Sequence, residues 1–464
     1  MICRKDSPVK IRALILLATL IAAPCFAQES ASGPSPADLA KQIVQKIAAG
    51  QFDAVEGQYT PQMSAALPSG RLASAWAGVL TQMGSFDSVA EATTTKVQTI
   101  DVVVLACKFE KGLIDVQIAL DPQGKLAGIH FAPHVVPPPP WTAPAYAKPD
   151  SFTEQPLTLV NGKYELPGTL TLPKGNGPFA AVILVQGSGP HDQDETVVAC
   201  KPFEDLAWGL ATRGVAVFRY TKRTFKYGAQ SSDPPDKLTV DDETISDARA
   251  AVALLAKQNK IDPQRIFVLG HSLGAYLAPR IATGDAQIAG IVMLAANTEP
   301  MEKLLVEEVH YILSSGPPPT DSEKQQVAAI EDAAKKIESP DLKPTDTVNL
   351  LSGAMPATYW LDLRDYHPVA FAQELKIPIL ILQGGRDFQV PPATNFEQWK
   401  TALSAQKNVT LKLYPPLNHL FVAGAGPSVP QEYEKLGHVD EQVIVDIADW
   451  VSVGGERPHL GQSR

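Results

Sequence analysis

The feature that most constrains the fold is an alternation of apolar runs with helical patterns, which begins near residue 151. The apolar runs have the length of buried strands and lie at 180–186, 215–220, 265–270, 288–296, 377–383 and 409–414. The helical patterns between them lie at 203–213, 239–257, 273–282 and 393–403. Continuously apolar strands that alternate with helices are typical of a parallel sheet covered on both faces. We therefore predict an α/β domain with a mostly parallel sheet over residues 151–455.

Two segments depart from this alternation. Residues 157–160 and 163–172 alternate apolar and polar side chains, which predicts an antiparallel pair at the edge of the sheet. The segment between the strand runs at 288–296 and 377–383 is mostly polar and helical, and its roughly 80 residues are too many for a plain crossover. We predict that residues 298–372 form a helical cap inserted over one end of the sheet.

The first 27 residues have the plan of a secretory signal. Basic residues at positions 4, 5, 10 and 12 precede an apolar run at 13–23, and a small residue, Ala27, ends a plausible cleavage site. The run is shorter than the roughly 20 residues needed to span a bilayer. We predict a signal peptide at 1–27, export to the periplasm or the extracellular space, and no stable membrane insertion. An uncleaved anchor and a lipoprotein attached through Cys25 are the alternatives.

A separate small domain is predicted between the signal and the α/β domain. Apolar residues recur at helical spacing from Asp38 until Gly50, which predicts one helix. Three strand-like runs follow, at 102–109, 113–120 and 126–131. These elements predict an α+β domain over residues 36–133. Consecutive prolines at 137–140 then predict a stiff linker at 134–150.

Charge and cysteine content restrict the partners of the chain. The formal net charge is −10 and the basic residues do not cluster, which argues against nucleic acid as a partner. Cys3 and Cys25 lie in the predicted signal, which leaves Cys107 and Cys200. These two lie in different predicted domains and lack the spacing of a metal site. We therefore favour two unpaired or buried thiols, with a disulfide between them in an oxidising compartment as the alternative. We predict no bound metal and no cofactor.

Residues 270–274 carry the strongest chemical signal, Gly-His-Ser-Leu-Gly, which matches the G-x-S-x-G pattern of a nucleophile elbow. A buried-strand run precedes this motif and a helical pattern follows it. In such a strand–turn–helix the glycines leave room for a tight turn, and the helix N-terminus favours negative charge near the hydroxyl. We predict that Ser272 is a catalytic nucleophile. The alternative is a glycine-rich turn with an ordinary serine.

A serine nucleophile needs a base that is itself held by an acid. In this type of sheet the chain order is serine, acid, histidine. Asp387 follows the strand run at 377–383, and His419 follows the strand run at 409–414. We predict that these two residues are the catalytic acid and base. The alternatives are an aspartate that only caps a turn, and His438 as the base.

The tetrahedral intermediate of acyl transfer needs two backbone N–H donors. One is expected from Leu273, directly after the nucleophile, and the other from the loop after the strand run at 180–186. Ser188 lies between two glycines of that loop, and we predict it as the second donor. A calcium site and a hydrogen-bonded brace are the alternative interpretations of the acidic residues that follow, and the brace is favoured. These residues are Asp192, Asp194 and Glu195.

Together the motifs resemble those of the α/β-hydrolase superfamily, and more narrowly those of bacterial esterases related to the serine aminopeptidase clan. The resemblance covers about residues 150–455 and depends on 186–190, Asp192, Asp194, Glu195, Arg219-Tyr220, Lys222-Arg223, 270–274, Gly385-Arg386-Asp387 and Leu417-Asn418-His419. It implies a Ser272–His419–Asp387 triad, with Ser188 and Leu273 binding the oxyanion. Gln186 replaces a histidine that is common before the oxyanion glycine, and Thr221 replaces an aspartate before Lys222. Residues 36–133 resemble a module of unknown function that precedes such hydrolases in bacteria.

The predicted triad indicates hydrolysis of an acyl compound without separating esters from amides. We predict a hydrolase of small carboxylic esters, with an aminopeptidase or acylpeptide hydrolase as the alternative. Cap carboxylates that bind a free amino terminus would favour the peptidase, although a solvated helix face also explains them and is the favoured interpretation: Glu302, Glu307, Glu308, Asp362 and Asp365. Cap aromatic residues line an acyl pocket or pack in the core: His310, Tyr311, Tyr359 and Trp360. From another class, the alternative is a secreted ligand-binding protein on an inactive hydrolase scaffold.

Overall fold

The computed structural model describes residues 34–97, 99–134, 138–350 and 353–455. These residues form two compact units, an N-terminal unit that ends at residue 134 and an α/β unit that begins at residue 138. The predicted signal peptide at 1–27 lies outside the described residues. No helix in the described ranges is long and apolar enough to cross a membrane.

The N-terminal unit packs helices against one antiparallel sheet. Its helices are α1 (Pro36–Ala48), α2 (Phe52–Glu56), α3 (Pro61–Ala66) and α4 (Arg71–Met83). Its strands pair in chain order and are β1 (Phe86–Val97), β2 (Ile100–Phe109), β3 (Gly112–Leu120) and β4 (Leu126–Pro133). Ser35 and Asp38 form a capping box that fixes the start of α1. The predicted helix and the three predicted strands are present. The unit also contains β1, α2, α3 and α4, which the sequence did not predict.

Trp76 of α4 lies at the centre of the interior of this unit. Its ring centroid is 5.8 Å from that of Phe86, 5.5 Å from that of Phe109 and 5.8 Å from that of Phe131. Phe86 belongs to β1, a strand that the sequence did not predict. Every residue of β1 is at least partly exposed. Its sequence does not alternate apolar and polar side chains with a two-residue period, which is the pattern by which a half-buried strand is recognised.

The α/β unit is built on an eight-stranded sheet. Its strands are β5 (Phe152–Pro156), β8 (Gly168–Pro173), β9 (Phe179–Val185), β10 (Ala216–Tyr220), β11 (Ile261–His271), β12 (Ile288–Leu294), β15 (Ile379–Gly384) and β16 (Val409–Tyr414). Their spatial order is β16-β15-β12-β11-β9-β10-β8-β5. The pairs from β16 to β10 are parallel, and those of β8 with β10 and β5 are antiparallel. The predicted mostly parallel sheet is confirmed.

The antiparallel edge differs from the prediction for 157–160 and 163–172. β6 (Leu159–Asn161) and β7 (Tyr164–Leu166) pair only with each other, so most of the predicted edge pair lies outside the main sheet. β8 joins the sheet and β5, which was not predicted, forms its edge. Pro167 separates β7 from β8, and because proline has no N–H and a fixed φ it ends one strand before the next begins.

Helices cover both faces of the sheet. Outside the cap they are α5 (Pro202–Thr212), α6 (Arg223–Tyr227), α7 (Ser246–Leu255), α8 (Leu273–Ala282), α13 (Asn395–Leu403) and α14 (Glu441–Ser452). Apolar side chains of α5 and α14 form one core with the sheet, and those of α7, α8 and α13 form another. A π-helical turn at Asp241–Ile245 leads into α7.

The chain between β12 and β15 forms a helical cap. It contains α9 (Met301–Ser314), α10 (Asp321–Glu338), a hairpin of β13 (Thr347–Asn349) and β14 (Ala354–Pro356), α11 (Ala357–Arg364) and α12 (Pro368–Glu374). A capping box of Thr320 and Glu323 fixes the start of α10. α9 packs against α10, and α12 packs against α8 of the main unit.

The two cysteines in the described residues, Cys107 and Cys200, are buried and unpaired, as predicted. Burial raises the pKa of the Cys107 thiol to about 12 and that of the Cys200 thiol to about 11. Both groups are therefore neutral thiols, poor nucleophiles and poor metal ligands at physiological pH.

Candidate active site

Ser272 lies in a sharp turn between β11 and α8. Its φ of 53° is positive and its ψ is −117°, a strained conformation for a residue with a side chain. A Cβ atom on Gly270 would lie 2.1 Å from the carbonyl oxygen of Gly274, and one on Gly274 would lie 2.1 Å from that of Val185. Only glycine fits at these two positions. The turn leaves the Ser272 side chain partly exposed, whereas its neighbours on both sides are buried.

Asp387 and His419 are brought together at the ends of β15 and β16. The Nδ1 atom of His419 is 2.8 Å from Oδ2 of Asp387, and the two residues are only 3% and 4% exposed, respectively. Because a carboxylate can only accept, Nδ1 of His419 donates in this contact, and Nε2 is the ring nitrogen that is left to exchange a proton with a substrate or with Ser272. Asp387 also accepts hydrogen bonds from the backbone N–H groups of Gln389 and Val390 and from the Gln383 side chain. These donors hold the carboxylate in a fixed orientation.

His271 ties this pair to the elbow. Its Nε2 donates to the carbonyl oxygen of His419 at 3.0 Å, and the two ring centroids are 4.7 Å apart. Since His271 directly precedes Ser272 in the chain, this contact fixes His419 beside the nucleophile turn. The rival histidine lies elsewhere: Nδ1 of His438 is 3.0 Å from Asp205 of α5.

The predicted oxyanion donors come from two backbone segments that meet at the elbow. Leu273 is the first residue of α8, so its N–H has no partner within the helix. A Cβ atom on Gly187 would lie 3.2 Å from that of Ser272, which places the loop of Ser188 against the predicted nucleophile. The N–H of Gly187 itself donates to Glu195 at 2.5 Å, so Ser188 carries the next N–H along this loop.

Glu195 and His271 form a second buried pair, which sequence reasoning missed. Oε2 of Glu195 is 3.0 Å from Nδ1 of His271, and the residues are 1% and 5% exposed, respectively. Burial favours the neutral forms, but the opposite charge of the partner and the hydrogen bonds of each group together outweigh it. The pKa of Glu195 is therefore lowered and that of His271 is raised. The sequence signals for this pair were the histidine within the G-x-S-x-G motif and the acidic Glu195 after the oxyanion loop, and no spacing connects the two.

The acidic residues after the oxyanion loop act as a brace, as favoured from the sequence. Asp192 accepts from the backbone N–H groups of Asp194 and Thr196, and from the Thr196 hydroxyl at 2.7 Å. Asp194 pairs with Arg219 at 2.8 Å and with Lys201 at 3.1 Å. The carboxylates that suggested a calcium site thus bind separate protein partners and do not converge on one point.

Comparisons with known proteins assign these motifs to a family. The profile described as "Serine aminopeptidase, S33" matches residues 178–423, more than half of the chain. Esterase EstD of Thermotoga maritima is 38% identical over 409 residues, which cover 88% of this chain and 93% of that protein. The chain belongs to this family. The predicted α/β-hydrolase fold and the predicted ester-hydrolase class are confirmed.

The other comparisons give a second family match, in the N-terminal unit, and matches to solved structures. A family described as a protein of unknown function, DUF3887, matches residues 40–129, in agreement with the resemblance noted for that segment. Est1E from Butyrivibrio proteoclasticus is 16% identical, covers 64% of this chain and 98% of its own, and has a TM-score of 0.41. A puromycin-hydrolyzing peptidase of Mycobacterium tuberculosis is 16% identical, covers 81% of this chain and 48% of its own, and has a TM-score of 0.42.

Of the four cap aromatic residues singled out in the sequence of this S33 hydrolase, only Tyr311 lies next to the site. Its ring stacks on Phe388, which follows Asp387, with centroids 5.3 Å apart. Tyr359 and Trp360 are buried in the core, and His310 pairs with Glu331 between α9 and α10 at 2.9 Å. An apolar cluster around Tyr311 therefore forms a wall beside Asp387 and His419: Cys200, Phe388, Leu420 and Tyr433, with Val197, Val198, Ile312 and Val422.

One cap carboxylate belongs to the same region. Burial and the nearby negative charge of Asp387 raise the pKa of Glu308 to about 7, although a hydrogen bond with Gln389 partly opposes the change. A solvated helix face does not explain this residue. It does not explain Asp362 either, which pairs with Arg280 at 2.7 Å, or Glu302, which is only 9% exposed.

Proposed function

We propose that this protein hydrolyses small carboxylic esters through a covalent acyl-enzyme. Ser272 is the nucleophile, His419 the general base and acid, and Asp387 the residue that orients His419. The backbone N–H groups of Ser188 and Leu273 bind the oxyanion. The mechanism calls for no cofactor, because the protein supplies the nucleophile, the proton carrier and the oxyanion donors.

In the acylation step, Oγ of Ser272 attacks the ester carbonyl carbon while its proton passes to Nε2 of His419. The carbonyl oxygen becomes an oxyanion between the two backbone donors. When this intermediate collapses, the carbon–oxygen bond to the alcohol breaks and His419 returns the proton to the leaving oxygen. Deacylation repeats the sequence with water: His419 takes its proton, the hydroxyl joins the acyl carbon, and Ser272 leaves with the proton.

The observation that carries this proposal is the 2.8 Å contact of His419 with Asp387 beside the strained Ser272 turn. The contact leaves the second imidazole nitrogen of His419 as a base. The elbow turn and the start of α8 provide a partly exposed serine and an N–H donor at one point. The esterase activity stated in the name of EstD, a relative over most of the chain, favours esters as the substrate class.

The test combines turnover of p-nitrophenyl acetate and butyrate with fluorophosphonate labelling. We expect Ser272→Ala to lower kcat by about 10⁴-fold or more, and mass spectrometry to locate the label on Ser272. His438→Gln is the matched control and should retain most of the wild-type activity, because His438 pairs with Asp205 of α5. Labelling of another serine, or full activity in Ser272→Ala, would refute the assignment.

Glu308 favours aminopeptidase activity as a second candidate function. A carboxylate of the cap near Asp387 is suited to bind the ammonium group of a substrate with a free amino terminus. Aminoacyl-p-nitroanilides assayed beside the p-nitrophenyl esters distinguish the two functions. A kcat/KM for the anilides equal to or above that for the esters would favour the peptidase.

We also propose that the protein is exported to the periplasm or the extracellular space. The proposal is supported by the basic, apolar and small-residue plan of residues 1–27. Expression with and without this segment, followed by fractionation and N-terminal sequencing, tests it. Mature protein that begins near residue 28 outside the cytoplasm is the expected result, and full-length protein retained inside the cell would contradict it.

A further inference from the structure

The residue Gly187, at the base of the oxyanion loop, is held by charged side chains on both sides. Its N–H donates to Oε1 of Glu195 at 2.5 Å, and its carbonyl oxygen accepts from Nζ of Lys222 at 2.7 Å. Lys222 is only 1% exposed and is one of the largest fully buried side chains in the described residues. The proposed mechanism gives no task to this buried ammonium group.

The planarity of the peptide bond connects Lys222 to the oxyanion donor. The carbonyl oxygen of Gly187 and the N–H of Ser188 belong to one trans peptide group, in which C=O and N–H point in opposite directions. A side chain that fixes the direction of the oxygen therefore fixes the direction of the N–H. We propose that Lys222 is a positioning residue, which aims the Ser188 N–H at the oxyanion by holding the carbonyl of Gly187. The inference rests on the proposed acyl-transfer function.

The surroundings of Lys222 keep its ammonium group in place. Oε1 of Glu243 lies 3.4 Å from Nζ, and Glu243 also accepts from the hydroxyls of Thr224 at 3.0 Å and Tyr359 at 2.8 Å. The backbone N–H of Lys222 donates to the carbonyl oxygen of His191 at 3.0 Å. The same residue therefore holds the oxyanion loop at both ends.

The charge of Lys222 also strengthens the donor. A cation at the carbonyl oxygen draws electron density from the peptide group, which makes the N–H on its other side more positive. The effect is largest when that N–H faces the full negative charge of the transition state, and it is small for the neutral ester in the ground state. Lys222 therefore contributes chiefly to kcat and little to KM.

The test replaces Lys222 without leaving a buried carboxylate unpaired. In the double variant Lys222→Met/Glu243→Gln, both charges are removed and the side-chain volumes are nearly kept. The matched control is Arg223→Met/Asp247→Asn, which removes the adjacent buried pair with its 2.9 Å contact between Arg223 Nε and Asp247 Oδ2. Thermal unfolding of both variants measures the structural cost of losing a buried charge pair.

We expect the Lys222 double variant to lower kcat for p-nitrophenyl butyrate by about 10- to 100-fold, less than the loss for a donor that is removed outright. KM should change by less than about threefold. The affinity for a trifluoromethyl ketone, which forms a tetrahedral oxyanion on Ser272, should fall in parallel with kcat. The control variant should keep kcat within about threefold of the wild-type value, since it does not contact Gly187.

A Lys222 variant with wild-type kcat, or one whose kcat falls no further than that of the control, overturns the inference. A crystal structure of the wild-type ketone adduct tests it without mutation. The adduct oxygen should lie about 2.7–3.1 Å from the Ser188 nitrogen, with Lys222 still on Gly187, and another donor in that place overturns the inference. If only the inference about Lys222 is wrong, turnover by the wild-type protein still depends on Ser272. If turnover does not depend on Ser272, the proposed function itself is wrong.

Discussion

Two histidine–carboxylate pairs lie side by side at the end of the sheet. In each, a buried carboxylate oxygen lies close to Nδ1 of a buried histidine, at 2.8 Å in Asp387–His419 and at 3.0 Å in Glu195–His271. The pairs differ at the other ring nitrogen. Nε2 of His271 donates to a backbone carbonyl, whereas Nε2 of His419 is the atom that the proposed reaction uses. Pairing with a carboxylate therefore does not by itself identify a base, because the second nitrogen decides whether the imidazole can accept a proton.

The two pairs also hold different parts of the site. Asp387 and His419 set the position of the proposed base. Glu195 binds the N–H of Gly187 while its partner His271 binds the backbone of residue 419. The second pair thus fixes the loop of Gly187 and His419 relative to the elbow.

The largest expected effect separates the two histidines. His419→Gln should lower kcat for p-nitrophenyl butyrate by about 10⁴-fold, since no base remains. His271→Gln should lower it only about tenfold, because the amide can still donate to the backbone of residue 419 and only positioning suffers. Steady-state kinetics of both variants measure the two losses in kcat. Losses of similar size would show that the two histidines do not differ in function.

The next effect concerns the loop that Glu195 holds. Ser188→Pro should lower kcat by about 10²- to 10³-fold, because proline has no N–H to donate to the oxyanion. Ser188→Ala is its control and should change kcat by less than about twofold, because the backbone donor remains. A large loss in the alanine variant would assign the role to the hydroxyl instead, and thermal unfolding shows whether the proline variant is folded.

The third prediction concerns the pH dependence of the free energy of unfolding. Glu195→Gln should lower the free energy of unfolding by about 2 kcal/mol. This loss is smaller than is usual for a broken buried pair, because His271 can become neutral in the variant. The raised pKa of His271 gives stability that is present below its ordinary value of 6.5 and is lost as the pH rises through the raised value. The lowered pKa of Glu195 gives stability that is present above 4.5 and is lost as the pH falls through the lowered value.

Urea unfolding of the wild type and of Glu195→Gln across this range measures the difference. The difference in free energy of unfolding between the two proteins should be greatest between pH 4.5 and 6.5 and should decrease at lower and at higher pH. The other titratable groups that act on the pair, His191 and Asp387, are present in both proteins. A difference that does not vary with pH would show that the pair is not ionic.

The smallest effect concerns Glu308, a carboxylate near the first pair with no histidine partner. Glu308→Gln should change KM for p-nitrophenyl butyrate by less than about twofold, because a neutral ester has no charge to bind it. For aminoacyl-p-nitroanilides it should raise KM several-fold above pH 7, where the wild-type carboxyl, with its pKa of about 7, is charged. Glu307→Gln, one residue away and exposed, is the control. Equal KM values for the anilides in all three proteins would assign no substrate contact to Glu308.

The sequence predicted the parts of the molecule that local patterns encode. The parallel strands, α8 and the approach of Asp387 to His419 follow from apolar runs and from chain order. The role proposed for Lys222 did not follow, because it depends on a contact with Gly187, 35 residues away, that no spacing in the sequence expresses. The pairing of Glu195 with His271 did not follow for the same reason. The β5 edge and the break at Pro167 were missed as well, since one alternating pattern was assigned to a single strand that the structure divides in two.

The close approach of Gly274 to the carbonyl oxygen of Val185 has a consequence for engineering. The distance from the Ser272 turn to the loop that follows β9 is set where one main chain packs directly on another, with no side chain between them that could be repacked. The cap, in contrast, meets this region through side chains such as Tyr311. Libraries that vary cap residues such as Tyr311 to change the accepted acyl group therefore leave this main-chain contact unchanged, provided that Tyr359, which donates to Glu243, is kept.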